Sequence, residues 1–192
     1  MFAYLKLDPT CNFKGVTIDS TDSLLLTGYG QDARQPVLGI RGMEVRERSG
    51  EQGYFEMRIV RNARDAYVYI GLTTGHLYLV RRDLAPRHWL DTQEVGYGWH
   101  QDGVIHINPT GFEVSEGFED DNDNADDRRY KEGDVVGMMV DCTQGPTLRY
   151  FVNGVQVHRV MLAQERCGCV IFPAFTMCNA QIQIASNPDL PL

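Results

Sequence analysis

The sequence predicts an all-β protein, a two-sheet antiparallel β-sandwich. Three observations carry that expectation: short runs that alternate apolar and polar residues, an Asn-Gly pair set between two such runs, and no sustained helical periodicity anywhere in 192 residues. Such a length buries a sizeable core, and we read residues 1–192 as a single domain with its core at about 14–186. Composition is that of an ordinary soluble globular protein, 43% hydrophobic and 23% charged.

The strands follow in order. "YFEMRIV" (54–60) sets Phe55, Met57 and Ile59 against Glu56 and Arg58, one face dry and one wet. "AYVYIGL" (66–72) is almost wholly apolar, aromatic or β-branched and reads as a central strand. "EVGYGWHQDG" (94–103) contains a glycine-aromatic string that also occurs in potassium-selective pores. No stretch approaches the ~20 apolar residues of a membrane span, so the string is read as a kinked strand with Tyr97 and Trp99 anchoring the core. "GDVVGMMVDC" (133–142) carries Gly137 in its interior, a sign of a bulge or a close contact. "TLRYFVNGVQVHRV" (147–160) is the clearest hairpin, because Asn153 and Gly154 both tolerate the positive φ of a type I′ turn. "CVIFPAF" (169–175) and "AQIQIA" (180–185) complete the set.

One segment differs in kind. "EVSEGFEDDNDNADD" (113–127) holds eight acidic residues in fifteen and almost nothing apolar, so we read it as a loop between strands. Oxygens at 119, 121 and 123 resemble a calcium loop, but the turn glycine is missing and the twelfth position is Tyr130.

Several function classes are excluded. A net charge of −8 with only three lysines (Lys6, Lys14, Lys131) argues against nucleic acid as a partner. "GYGQDA" (28–33) matches a dinucleotide fingerprint, yet "RQPVLGIRG" follows where a helix is required. The five cysteines (Cys11, Cys142, Cys167, Cys169, Cys178) lack the spacing of a disulfide framework or a zinc site and are read as free thiols. With no basic-then-apolar leader in "MFAYLKLDPT", the expected setting is cytoplasmic or nuclear, away from any membrane. No serine lies in a nucleophile elbow and no rigid carboxylate pair stands out, so we expect no enzyme, no metal and no cofactor.

With the strands placed, the chain resembles the SPRY domain family, concanavalin-like sandwiches that serve as protein-interaction modules. The resemblance runs through "KGVTIDSTDSLLLTG", "IRG" (40–42), "GYFEMRIV", "VYIGLTT", "GYGWHQDG", "YKEGDVVGMMVD", "LRYFVNG" and "IFPAF" in that order. It looks most like the Ran-binding-protein and heterogeneous-ribonucleoprotein-U type, although the acidic loop is longer than that pattern. The resemblance implies binding of a short peptide segment of a partner, within a ubiquitin-ligase or other multiprotein complex, by loops at one edge of the sandwich. Three stretches match those loops: "GYGQDARQP" (28–36), "TGHLYLVRR" (74–82) and "TMCNA" (176–180). The candidate contacts are Tyr29, Gln31, Arg34, Thr74, Tyr78, Arg81, Met177 and Asn179. Tyrosines offer flat area with a hydroxyl handle and arginines a forked donor, both common at interface hot spots. Two alternatives remain open: a carbohydrate-binding, lectin-like module stacking sugars on Trp89 or Trp99, and a phosphorylated small ligand meeting Arg81, Arg82 and Arg87.

Overall fold

The structure is a computed structural model and describes residues 16–19, 25–28, 37–38, 43–44, 50–73, 96–103, 105–107, 128–162 and 170–185. Their regular elements are strands: β1 (Val16–Ile18), β2 (Leu25–Gly28), β3 (Val37–Leu38), β4 (Met43–Glu44), β5 (Gln52–Thr73), β6 (Gly96–His100), β7 (Ile105–Ile107), β8 (Val135–Asp141), β9 (Thr147–Val152), β10 (Val155–Met161) and β11 (Val170–Ile184). Among the described residues all pairings are antiparallel, in the order β1-β2-β11-β5-β8-β9-β10, with β3 and β4 on β11 and the β6–β7 hairpin on β5.

This hydrogen-bonded path forms a sandwich because β5 turns a corner. Phe55 pairs through Met138 to Tyr150 of β9, while Ile70 pairs with Trp99 of β6. Fifteen residues separate Phe55 from Ile70, which a straight strand would spread over about 50 Å. Yet the rings of Trp99 and Tyr150 meet edge-to-face with centroids 5.4 Å apart. The sheet is therefore curled, and its two leaves pack face to face. Register shifts mark the corner: β11 slips against β5 between Gln181 and Ile182, and again between Cys178 and Ala180, where Asn179 takes a φ of 49°. Bulges of this kind let one strand pass from one layer to the next. Sequence reading divided this element into strands at 54–60 and 66–72; the structure joins them, since the polar stretch from Arg61 to Asp65 is a bend within a strand.

Between the leaves lies one core, with Leu26, Phe55, Met57, Ile59, Val68, Ile70, Leu72, Trp99, Val136, Met138, Val140, Leu148, Tyr150, Phe175 and Ile182 among its buried members. The alternation read from "YFEMRIV" holds, with Phe55, Met57 and Ile59 inward. Gly137 proves to be a close contact, since β8 keeps a regular register on both sides. The Tyr54 ring lies directly over it, so an added Cβ would overlap that ring. Tyr54 donates from its hydroxyl to Glu56 Oε2 at 2.8 Å, and burial followed by that carboxylate pushes the phenol well above its ordinary pKa. The β9–β10 hairpin turns through Asn153 (φ 51°) and Gly154 (φ 80°), the signs a type I′ turn requires. Asn153 also fixes the hairpin to the start of β8, its Oδ1 accepting from Val135 N and its Nδ2 donating to Asp134 Oδ1, both at 2.9 Å.

The corner leaves a fork in the ladder. β8 follows β5 as far as Ile59, through bonds with Asp134 and Gly133, and β6 begins pairing only at Tyr69. Side chains fill the interval. Glu132 Oε2 accepts from Asn62 N (2.9 Å), and Gln101 Nε2 donates to the Ala66 carbonyl (2.9 Å) while its Oε1 accepts from Asn62 Nδ2 (3.1 Å). The buried Tyr130 hydroxyl shares its proton between the carbonyls of Val68 (2.8 Å) and Trp99 (2.9 Å). Burial, reinforced by the charges of Tyr69 and Asp102, holds this phenol well above its ordinary pKa and therefore protonated as a donor. Replacing it should leave a buried carbonyl without its donor. Tyr130→Phe is expected to lower the unfolding free energy by about 1–3 kcal/mol, read from urea denaturation with an unchanged m-value.

At the far end of β8, Asp141 is 3% exposed and carries four partners: Thr143 N (2.9 Å), Thr143 Oγ1 (2.6 Å), Arg149 Nη2 (2.6 Å) and the Gln52 side chain. Burial alone would raise its carboxyl; the Thr143 and Gln52 bonds and the Arg149 charge outweigh it and hold the group below its ordinary value. A carboxyl lowered on folding stabilises fully above its unfolded pKa, about 3.9, and that contribution disappears as pH falls through the folded value. Stability should thus decline below about pH 4, and Asp141→Asn should flatten the decline, both measurable from urea midpoints across pH.

Candidate interaction surface

The edge loops expected to bind a partner are rooted in described strands, although Tyr29, Gln31, Arg34, Thr74, Tyr78 and Arg81 lie outside the described residues. So do the acidic stretch 113–127, Trp89, Arg82 and Arg87. The first loop leaves from Gly28, the last residue of β2, and returns at Val37, which pairs with Phe175. Gly28 packs flat on Met177: an added Cβ would stand 2.6 Å from Met177 Cγ and 3.3 Å from its carbonyl oxygen.

The third stretch, 176–180, is not a loop. It lies inside β11, with Thr176 opposite Tyr69, Met177 opposite Val68 and Cys178 opposite Tyr67. The turn signal read from Asn179 is the left-handed residue of a bulge, which lets the strand continue around the corner. Met177 is fully buried in the core, so its side chain supports the Gly28 root from beneath and offers no surface to a partner. Asn179 is half-buried at the bulge. Gly28, Met177 and Asn179 are brought together. The second loop leaves at Thr73, opposite Phe172; that root stands five to seven residues along β11 from Met177 and Asn179, about 17–24 Å.

A neighbouring group of side chains escaped the sequence reading. Tyr67 and Tyr69 project from the face of β5 opposite the core, their rings edge-to-face at 5.8 Å, and the imidazole of His100 leans on Tyr69 at 4.4 Å. The three are half-buried. His100 Nδ1 lies 2.7 Å from Asp102 Oδ1 and 3.4 Å from Asp102 N. One nitrogen cannot donate to the first and accept from the second, and the shorter contact identifies Nδ1–H as donor to the carboxylate. Alternation in "AYVYIGL" places both tyrosines on one face, but only the pairing of Tyr69 with His100 completes the cluster.

Arg128 closes the rim between the leaves. Its carbonyl accepts from Trp99 Nε1 of β6 at 3.0 Å, and its Nη1 reaches His158 Nδ1 of β10 at 3.4 Å. Among the described residues no group of three His, Cys, Asp or Glu side chains is arranged to hold a metal. Cys142 and Cys178 are buried thiols outside any disulfide.

No protein-family model and no curated protein matches the chain. Solved structures do. A human SPRY domain superposes with a TM-score of 0.56 at 16% identity, covering 93% of this chain and 99% of its own. The PSpry domain of TRIM65 gives 0.54 at 13% identity, covering 96% and 91%. The carbohydrate recognition domain of Emp46p, in its potassium-bound form, gives 0.51 at 6% identity, covering 96% and 100%. The chain thus has the SPRY-type β-sandwich fold.

Gly28→Ala should destabilise the protein by about 1–3 kcal/mol, because the Cβ must displace Met177. Trimming the obstacle should relieve the strain, so that in thermal or urea unfolding the double variant Gly28→Ala/Met177→Ala costs less than the sum of the single changes.

Proposed function

We propose that this chain is a non-enzymatic protein-interaction module that binds a short peptide segment of a partner through loops at one edge of the sandwich. The observation that carries the reading is the end-to-end likeness to SPRY domains, 93% of this chain against 99% of the human one. The contact set comprises Tyr29, Gln31, Arg34, Thr74, Tyr78, Arg81 and Asn179, with Met177 as the buried support for the Gly28 root. Loops rooted on paired strands suit this role, since such a scaffold lets binding proceed with little backbone rearrangement. On the resemblance to SPRY domains, the proposed partner belongs to a ubiquitin-ligase or other multiprotein complex. Buried thiols at Cys142 and Cys178 suit a reducing cytoplasmic or nuclear setting.

The likeness to the Emp46p domain favours one rival, a carbohydrate-binding module. Trp99, one of the two rings expected to stack a sugar, is fully buried in the core, so for that reading the half-buried rings of Tyr67, Tyr69 and His100 supply the aromatic platform instead.

Affinity capture from cell lysate separates the two. The native chain is compared with a Tyr29→Ala, Tyr78→Ala, Arg81→Glu variant whose melting temperature matches it. Loss of one or a few captured proteins, recovered as direct binders when purified, is the expected result. An unchanged set refutes the loop site, and binding on a glycan array that Tyr69→Ala removes would establish the carbohydrate reading instead.

A further inference from the structure

β10 ends the sheet, and among the described residues β9 alone pairs with it. The phase of that pairing can be read from its end, where Leu162 N donates to the Pro146 carbonyl at 2.8 Å. Antiparallel ladders alternate between hydrogen-bonded and non-hydrogen-bonded pairs. Val160–Leu148 and His158–Tyr150 are therefore the bonded pairs, while Arg159–Arg149 and Met161–Thr147 are not. The N–H and C=O groups of Arg159 and Met161 consequently point away from the sheet, four groups in the geometry that accepts another strand. A bulge between Gln156 and His158 restricts this template to about four residues, 158–161. The template is rigid, because the type I′ turn and the Asn153 bonds to β8 fix its other end.

The charge around this edge is one-sided. In a chain of net charge −8, the seven residues of β10 include an arginine, a histidine and no acid. Arg159 is exposed, and among the described residues no carboxylate pairs with it. Its neighbour Arg149 is already neutralised by Asp141 at 2.6 Å. On the opposite face of the edge the Arg128 guanidinium stands against His158. Val160 and Val157 make the inward side of the strand apolar. A second copy of the chain would bring the same −8 charge and the same Arg159, a poor complement to this edge.

We propose that the outer edge of β10 binds an extended acidic peptide of a partner protein by strand addition, alternate residues being acidic toward Arg159 and apolar toward Val160. Backbone bonds to Arg159 and Met161 supply the affinity, and Arg159 selects the charge. This surface is separate from the loop site proposed above.

The test uses a blocked peptide, acetyl-Glu-Val-Glu-Val-Glu-amide, titrated into the native chain and followed by amide shifts and hydrogen exchange. The expected result is binding with new protection at the amides of Arg159 and Met161. Arg159→Glu should weaken it about three- to tenfold and favour the Lys-Val analogue instead. Met161→Pro removes one outward N–H at a position where an edge strand tolerates proline, and should abolish binding with the melting temperature nearly unchanged. If that variant unfolds, a peptide N-methylated at its central residues provides the same readout on the native chain and should not bind. The loop variant Tyr29→Ala, Tyr78→Ala, Arg81→Glu should bind the peptide as the native chain does, which separates this proposal from the loop reading. Equal affinity for the Glu-Val and Lys-Val peptides, absence of protection at Arg159 and Met161, or self-association through β10 in place of peptide binding would overturn it.

Discussion

The corner in β5 is the constraint on which the rest of the molecule depends. A strand that crosses from one leaf to the other cannot keep neighbours on both edges through the bend, so some backbone groups lose their ladder partners. Buried unpaired amides and carbonyls are costly, and the sequence answers with particular side chains. Gln101, Glu132 and Tyr130 supply what the ladder lacks, and they come from the segments just before β8 and just after β6 that border the fork. Their presence explains why Trp99 can sit at full burial with its Nε1 donating to the Arg128 carbonyl. The aromatic core and the polar seam are two parts of one solution.

The parts of this fold legible in the sequence were those where local chemistry has one outcome. Asn153-Gly154 between alternating runs gave the hairpin, because few conformations suit that pair. Phe55, Met57 and Ile59 declared an inward face by spacing alone, and Trp99 was placed in the core by the strand it belongs to. Where local chemistry admits two outcomes, reading failed or stayed open. A polar run such as Arg61 to Asp65 describes both a loop and a bent strand, and the difference lies in hydrogen bonds to β11 that are distant in sequence. Asn179 suits a turn and a bulge equally well. The Tyr67, Tyr69 and His100 cluster needs a register between two strands, and the seam around Tyr130 needs a whole topology. Of the candidate loop residues only Met177 and Asn179 fall within the described chain, and burial reassigns Met177 from contact to support.

Charge is unevenly divided along the chain. Of 26 acidic residues, the eight in 113–127 equal the whole net charge of −8, which leaves 18 acids against 18 lysines and arginines elsewhere. The rest of the chain is thus electrically balanced, and local imbalance within it carries information that the overall value conceals. The exposed Arg159 beside a neutralised Arg149 is one such imbalance at the sheet edge.

The position of β11 bears on how the chain acquires its structure in time. This strand is nearly the last described segment, yet it lies between β2 and β5 and carries β3 and β4 as well. Until residues 170–184 have left the ribosome, β1 and β2 have only each other, β3 and β4 lack their partner among the described strands, and the corner of β5 has no template on its β11 side. Local hairpins such as β9–β10 can form during synthesis, whereas the closing of the sandwich waits for contacts of the longest sequence separation. Such topologies fold slowly, with strand edges open to other chains in the interval. The same arrangement makes the emergence of β11 the event that commits the sandwich to its native pairing.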